Sequence, residues 1–246
     1  MAHMECFNMK KILFSLLLIT IFSSEVVKGQ AALLVLIFGE KAATENFHFS
    51  LKAGINYSMI TNIEEGKNRA GFTFGLANNI KLTEKFSLLP EFIALSPRGV
   101  QDIPTLSTGI PELDDLLGNP EFTDRKLNYI DIPILVKYHI TDRWSVSAGP
   151  QISFLVSATD VYRSSPVEGI TLKSELDLKD SFNNIDLAAV IDLTFVVTEP
   201  VNGKGFNLFA RYGRGFIDIL KENDGDPFHN STFQFGATFP FVEKPE

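Results

Sequence analysis

Thiols are almost missing from this sequence: of 246 residues one is cysteine, Cys6, and it lies near the start. Downstream of it no disulfide, thiolate metal site or thiol nucleophile can be built. Histidine is scarce as well, at four residues. None sits in an HxH or HExxH spacing, and none pairs locally with a serine in a recognisable hydrolase motif. Basic charge is short: 22 Lys and Arg against 30 Asp and Glu give a net charge of -8. Without a clustered basic surface, nucleic acid is not an expected partner. Nor does any stretch after residue 31 reach the roughly 20 apolar residues that a membrane-crossing helix needs. These absences lead us to expect a chain without enzymatic activity, metal or cofactor.

The first residues carry an address. MAHM at 1–4 reads as a cloning scar, and from Met9 the chain reads as a secretory signal, with Lys10 and Lys11 ahead of an apolar run at 12–22. A cut after Ala31 satisfies the small-residue rule. Residues 1–31 are therefore expected to be scar plus signal peptide, and Cys6 is lost with them. Residues 32–46 would form a short periplasmic segment with a helix at the barrel mouth, 47–241 the barrel and 242–246 a tail.

What is abundant is alternation with a period of two, the mark of a strand with different surroundings on its two faces. Eight segments carry it: 47–58, 71–82, 85–96, 127–140, 143–157, 183–198, 205–215 and 231–241. In the fourth, Ile130, Ile132, Ile134, Val136 and Tyr138 share one parity, while Asp131, Lys137 and His139 share the other. In the fifth, Trp144, Val146, Ile152, Phe154 and Val156 oppose Ser145, Ser147, Gln151 and Ser153. The third is the least regular, because Leu89, Ile93 and Leu95 fall on its polar side.

Connections alternate too. Thr83-Glu84, Thr141-Asp142 and 199–204 are tight, whereas 59–70, 97–126, 158–182 and 216–230 are long. Short turns at one end and long loops at the other predict an all-β, eight-stranded antiparallel up-and-down transmembrane β-barrel, with both termini periplasmic. Volume decides which face meets lipid. Eight strands leave a bore that side chains fill, and the polar parity holds Gly54, Gly75, Ala77, Gly149, Ala188, Gly213 and Gly236, while Phe, Leu, Ile, Tyr and Trp dominate the other. Bulk outside and small residues inside predict hydrocarbon outside. Phe47, Phe49, Phe86, Tyr138, Trp144, Phe206, Phe239 and Phe241 would form an interfacial aromatic girdle at the periplasmic rim, and Tyr57, Phe72 and Phe233 a thinner outer one.

The stretches KAGINYS (52–58), GFTFGL (71–76) and LNYIDIPILVKYHITDRWSVSAGPQISFLV (127–156) resemble the PorT-type outer-membrane β-barrel proteins of the Bacteroidetes. The YIDIPILVKY core is the most specific part, and the resemblance spans 47–241. It implies an eight-stranded outer-membrane barrel; the family's founding member is associated with type IX secretion and gliding. It brings no catalytic residues. One departure is at the end, where Phe241 is followed by VEKPE rather than closing the chain on an aromatic residue.

The inward parity carries Lys52, Lys81, Lys137 and Arg211 against Glu91, Asp131, Asp186 and Asp192. Balanced charge in a narrow bore points to a salt-bridged plug; the other reading is an ion-selective constriction. In the long loop IPTLSTGIPELDDLLGNPEFTD, residues 111–117 are predicted to form a short helix stopped by Gly118. Acidic residues there, and in the last loop, suit either a solvated lip or a docking surface for a basic partner or divalent cation. The expected role is a structural or assembly component in outer-membrane lipid, contacting envelope or secretion proteins. A soluble exported lipocalin-like small-ligand binder and a narrow porin remain open.

Overall fold

The computed structural model describes residues 44, 46–63, 65–105, 110–117, 120–164, 171–199 and 205–242. The expected signal (1–31), most of the 32–46 segment, 200–204 of the third turn and the end of the tail (243–246) lie outside the described residues. Among the described residues nine strands form in order: β1 (Phe47–Ile60), β2 (Lys67–Lys81), β3 (Phe86–Pro104), β4 (Pro120–His139), β5 (Trp144–Ser164), β6 (Lys173–Asp177), β7 (Ile185–Thr198), β8 (Phe206–Gly215) and β9 (Asn230–Pro240). A helix, α1 (Pro111–Leu117), lies between β3 and β4. All pairings are antiparallel, and β1 meets β9 from Ser50↔Pro240 to Ile60↔Asn230. That seam closes β1–β5 and β7–β9 into an eight-stranded barrel, while β6 adds to the upper half of β5 alone.

The parity has a physical direction. Ile132, Phe154 and Leu193 are exposed on the outer wall, whereas Asp131, Ser153 and Asp192 beside them are buried in the bore. A barrel packing its apolar side chains around an internal cavity would show the reverse. At the turn end, the first two hairpins use one device: Thr83 Oγ1 accepts the Phe86 N–H and Thr141 Oγ1 accepts the Trp144 N–H, each at 3.0 Å. Each threonine closes a tight bend ahead of an outward aromatic ring.

Three features differ from the expected strands. First, β3, β4 and β5 run on to Pro104, back to Pro120 and on to Ser164, through segments expected to be loops. Beyond hydrocarbon both faces of a strand can be wetted, so the alternation that marks a spanning strand fades although the ladder continues. Second, β6 and its pairing with β5 are additional. Third, β3 is bulged: its pairing with β4 slips between Ile93 and Ser96. Ile93 is buried, Leu95 is 42 % exposed, and Ser96, Arg98 and Val100 are buried. The extra residue flips the inward parity from odd to even, which explains the irregular pattern of this strand and places Arg98 inside.

If the outer wall faces hydrocarbon, Leu193→Lys should lower folding stability in lipid by about 2–4 kcal/mol. Leu172→Lys, at the loop end, should change it by less than about 0.5 kcal/mol. Equilibrium unfolding from bilayers measures both.

Candidate functional site: a charged bore under a loop-built lid

Side chains on the inner face gather into layers. In the tier nearer the turn end, β1 supplies Lys52, β3 Glu91, β7 Asp192 and β8 Arg211, each no more than 4 % exposed. Arg211 donates from Nη1 and Nη2 to the two Glu91 oxygens at 2.7 and 2.8 Å, and from Nε to Asp192 Oδ2 at 2.9 Å. Lys52 Nζ reaches Glu91 at 3.1 Å and Asp192 at 3.2 Å, and lies 4.1 Å from the centre of the Phe209 ring. Thr194 Oγ1 donates to the other Asp192 oxygen at 2.9 Å. The planar guanidinium fork matches a carboxylate in a way that a second lysine could not.

Toward the loop end a second tier is centred on Arg98. It donates to Asp131 at 2.6 Å, Asp186 at 3.1 Å and Ser153 at 2.9 Å, with its guanidinium 4.4 Å from the Tyr129 ring. Asn230 Nδ2 donates to Asp186 at 2.9 Å. On the same inner face Leu89, Leu135 and Val190 make a small buried apolar cluster. Above the upper tier the loops fold over the mouth: Phe182 and Ile219 join Ile60, Val100, Leu127, Tyr129, Leu155 and Ala158 in a buried cluster, with Ile63, Leu178 and Phe228 packed against it.

Of the residues expected in the bore, Lys52, Glu91, Asp192 and Arg211 meet in one tier and Asp131 and Asp186 in the other. Lys137 is inward and half-buried beside Ser87 and Ser147 in the ladder, without an ion pair among the described residues. Lys81 is a correction. It sits at the β2–β3 turn, 34 % exposed at its side chain and paired with Glu84 at 3.1 Å, because at the last residue of β2 the inner face opens to water. Arg98 was missed, and the irregular apolar parity of β3 was the signal that could have found it.

The rim aromatics pair on the outer wall at the turn end: Phe86 with Tyr138 at 5.2 Å, Trp144 with Phe195 at 4.7 Å and Phe206 with Phe239 at 5.4 Å. Phe47 stacks edge-on against Phe49 at 5.7 Å. Phe241 differs from expectation: it is 3 % exposed. β9 ends at Pro240, so the pleat no longer directs the next side chain outward, and the Phe241 N–H donates to the Phe49 carbonyl at 2.8 Å. His139 Nε2 lies 3.2 Å from Ser87 Oγ, a pairing across 52 residues that no local motif could reveal. Among the described residues no carboxylate bonds this histidine, so the pair lacks the orienting acid of a hydrolytic triad.

The last loop is held by one carboxylate. Asp218 accepts the Leu220 and Phe228 N–H groups at 3.0 and 3.2 Å and the Asn223 amide at 2.6 Å. Partial burial pushes the Asp218 carboxyl up, but the Asn223 and backbone hydrogen bonds outweigh it and hold the carboxyl below its ordinary value.

Two outcomes are expected. Arg211→Ala leaves Glu91 and Asp192 with Lys52 as their remaining cationic partner in the tier, and should cost about 3–5 kcal/mol; Arg211→Met with Glu91→Gln should recover part of that loss in a double-mutant cycle. A carboxyl with a lowered folded-state pKa contributes stability above its unfolded value, near 4 for aspartate, and loses it as pH falls further. Protection factors in 216–229, which are exchange rates corrected for the intrinsic pH dependence of amide exchange, should therefore be constant from about pH 5 to 8 and fall below about pH 4, and Asp218→Asn should remove that dependence.

Solved structures of similar shape include Ail, the attachment invasion locus protein of Yersinia pestis, at 14 % identity, covering 80 % of this chain and 100 % of that one with a TM-score of 0.42. Neisserial surface protein A shares 12 % identity over 79 % and 99 % of the two chains with a TM-score of 0.43. OprG from Pseudomonas aeruginosa shares 10 % over 82 % and 99 %, with a TM-score of 0.39. No curated protein matches the chain significantly. Residues 38–221 match the model described as "Outer membrane protein beta-barrel domain", and the chain belongs to that outer-membrane β-barrel family.

Proposed function

We propose that this outer-membrane barrel is a closed, non-enzymatic structural or assembly component, anchored by its turn-end aromatic girdle and presenting its loop end outward to a partner in the envelope. The observation that carries the reading is the filling of the bore: Arg211 and Lys52 against Glu91 and Asp192, and Arg98 against Asp131 and Asp186, with Leu89, Leu135 and Val190 clustered on the same inner face. Any ion crossing would have to break pairs that are hydrogen-bonded on several sides. The cost of unpairing charge in such surroundings is several kcal/mol. Such a bore suits a scaffold better than a conduit.

The link to protein secretion is the finer part of the proposal. It is supported by the resemblance of 127–156 to PorT-type barrels and by rigid strand extensions that stand beyond the membrane. The partner is then a protein of the secretion or envelope machinery, contacted above the bilayer or at the turn-end rim. A narrow porin is the second reading, since Lys137 lies in the bore outside the paired tier.

Single-channel recording distinguishes the two readings. The wild-type barrel should show no steady conductance in planar bilayers, whereas Arg211→Ala, which opens the lower tier, should conduct intermittently. Steady conductance of the wild type would establish the porin. For the secretion role, gene deletion should change the census of exported proteins, and an unchanged census would remove that role.

A further inference from the structure

At the loop end two adjoining clefts, of about 410 and 450 Å³, share Asn62, Ile63 and Phe228 in their walls and so make one groove across the mouth. One end abuts the raised β3–β5 wall at Arg125, Asp160 and Tyr162. The other runs over Asn223, Gly225 and Asp226 of the last loop. The groove is preformed. Thr61 N–H donates to the His229 carbonyl and His229 N–H to Thr61 Oγ1, both at 3.0 Å, and Asn62 Nδ2 donates to the Pro227 carbonyl at 2.8 Å. The Asp218 clamp fixes the remainder of that loop. Little ordering is left to oppose binding.

Its polar chemistry is one-sided. Among the described residues of the lining the one cation is Arg125, and its Nε and Nη2 are taken by Asp160 at 3.0 and 2.8 Å. The side chains of Glu65 and Asp226 make no hydrogen bond or ion pair among the described residues, and neither does Asn62 Oδ1. Tyr162 is 7 % exposed and lines the cleft, yet its hydroxyl has no hydrogen-bond partner among the described residues. Free acceptors thus outnumber free donors, and two unneutralised carboxylates lie on either side of an apolar stretch formed by Ile63 and Phe228. A phosphate or sulfate group would meet repulsion here, which excludes anionic headgroups and sulfated glycans as occupants.

We propose that this groove binds a basic segment of a partner protein, its ammonium or guanidinium groups at Glu65 and Asp226 and their methylene stems across Ile63 and Phe228. Long basic side chains suit such a surface because stem and head bury different kinds of area. This inference rests on the reading that the loop end docks a partner, and it names the chemistry of that partner.

The test uses labelled hexalysine and the full barrel in phosphatidylcholine nanodiscs, read by fluorescence anisotropy. Saturable binding is expected, weakened about tenfold by Glu65→Gln with Asp226→Asn, equivalent to about 1.4 kcal/mol. Glu175→Gln with Asp177→Asn removes the same charge from β6, outside the groove, and should change binding less than about twofold. Heat-modified gel mobility checks that both variants fold. Equal weakening by the two pairs would mean a diffuse acidic surface and overturn the proposal. So would absence of hexalysine binding, or saturable binding of a neutral hexasaccharide in its place. Each of those results leaves the bore's conductance and the secreted-protein census as they were, so a failed groove is separable from a failed scaffold role.

Discussion

Hydrocarbon offers a peptide group nothing to bond with, and from that constraint the rest of the molecule follows. Strands can cross it only if each edge finds another edge, and here the β1–β9 seam supplies the last one. Closure with eight strands sets a bore that side chains fill. Bulky residues must then go outward and small ones inward. Gly54 and Gly236 illustrate the tightness, since a Cβ on Gly54 would come within 2.5 Å of the Phe235 carbonyl oxygen. The outer wall at Ile55 and Phe235 can be broad because the inner wall behind it is nearly bare.

A narrow bore then dictates how its polar groups are arranged. An isolated charge there would be too costly, so the side chains that remain ionised are those that meet opposite charge from across the barrel. Glu91 on β3 and Arg211 on β8 belong to nearly opposite walls, and their two-pronged contact ties those walls together through the interior. Lys52 supports both carboxylates from β1. By residue count the four basic side chains Lys52, Arg98, Lys137 and Arg211 match the four acidic ones Glu91, Asp131, Asp186 and Asp192. The balance is not even along the axis: the Arg98 tier holds one cation for two anions, and Lys137 stands toward the turn end.

Strand number, closure and the outward face were legible in the sequence because they depend on a contrast between two solvents, and alternation records that contrast residue by residue. Ile132 against Asp131 and Leu193 against Asp192 are direct readings of it. Legibility failed where the contrast stops or slips. The bulge at 94–95 moved Arg98 to the inner face, and a strict two-residue count cannot follow an inserted residue. Lys81 kept the inward parity but reached water at the strand end, and Phe241 lay past the last residue that the pleat orients. The Ser87–His139 contact joins neighbouring strands 52 residues apart in the chain, and the Arg98–Asp186 pair joins β3 to β7 across the bore, so neither could be read from a local motif.

The same limit explains the shape of the loop end. Where hydrocarbon ends, nothing stops a strand from continuing if its ladder partner also continues, and β4 at 20 residues and β5 at 21 do so together, while β8 ends after 10. About ten residues of extra strand are roughly 30 Å of wall along the strand direction. A wall that tall on one side, facing short strands on the other, needs the intervening loops to fold inward and cover the bore. Phe182 and Ile219 do this from the short side, and Asn183 binds the Asp218 and Leu220 carbonyls at 2.8 and 2.9 Å to hold the two loops together. The groove is what remains between that lid and the tall wall. Its position is thus a consequence of unequal strand lengths, and its acidity a consequence of which residues the lid and wall leave without partners.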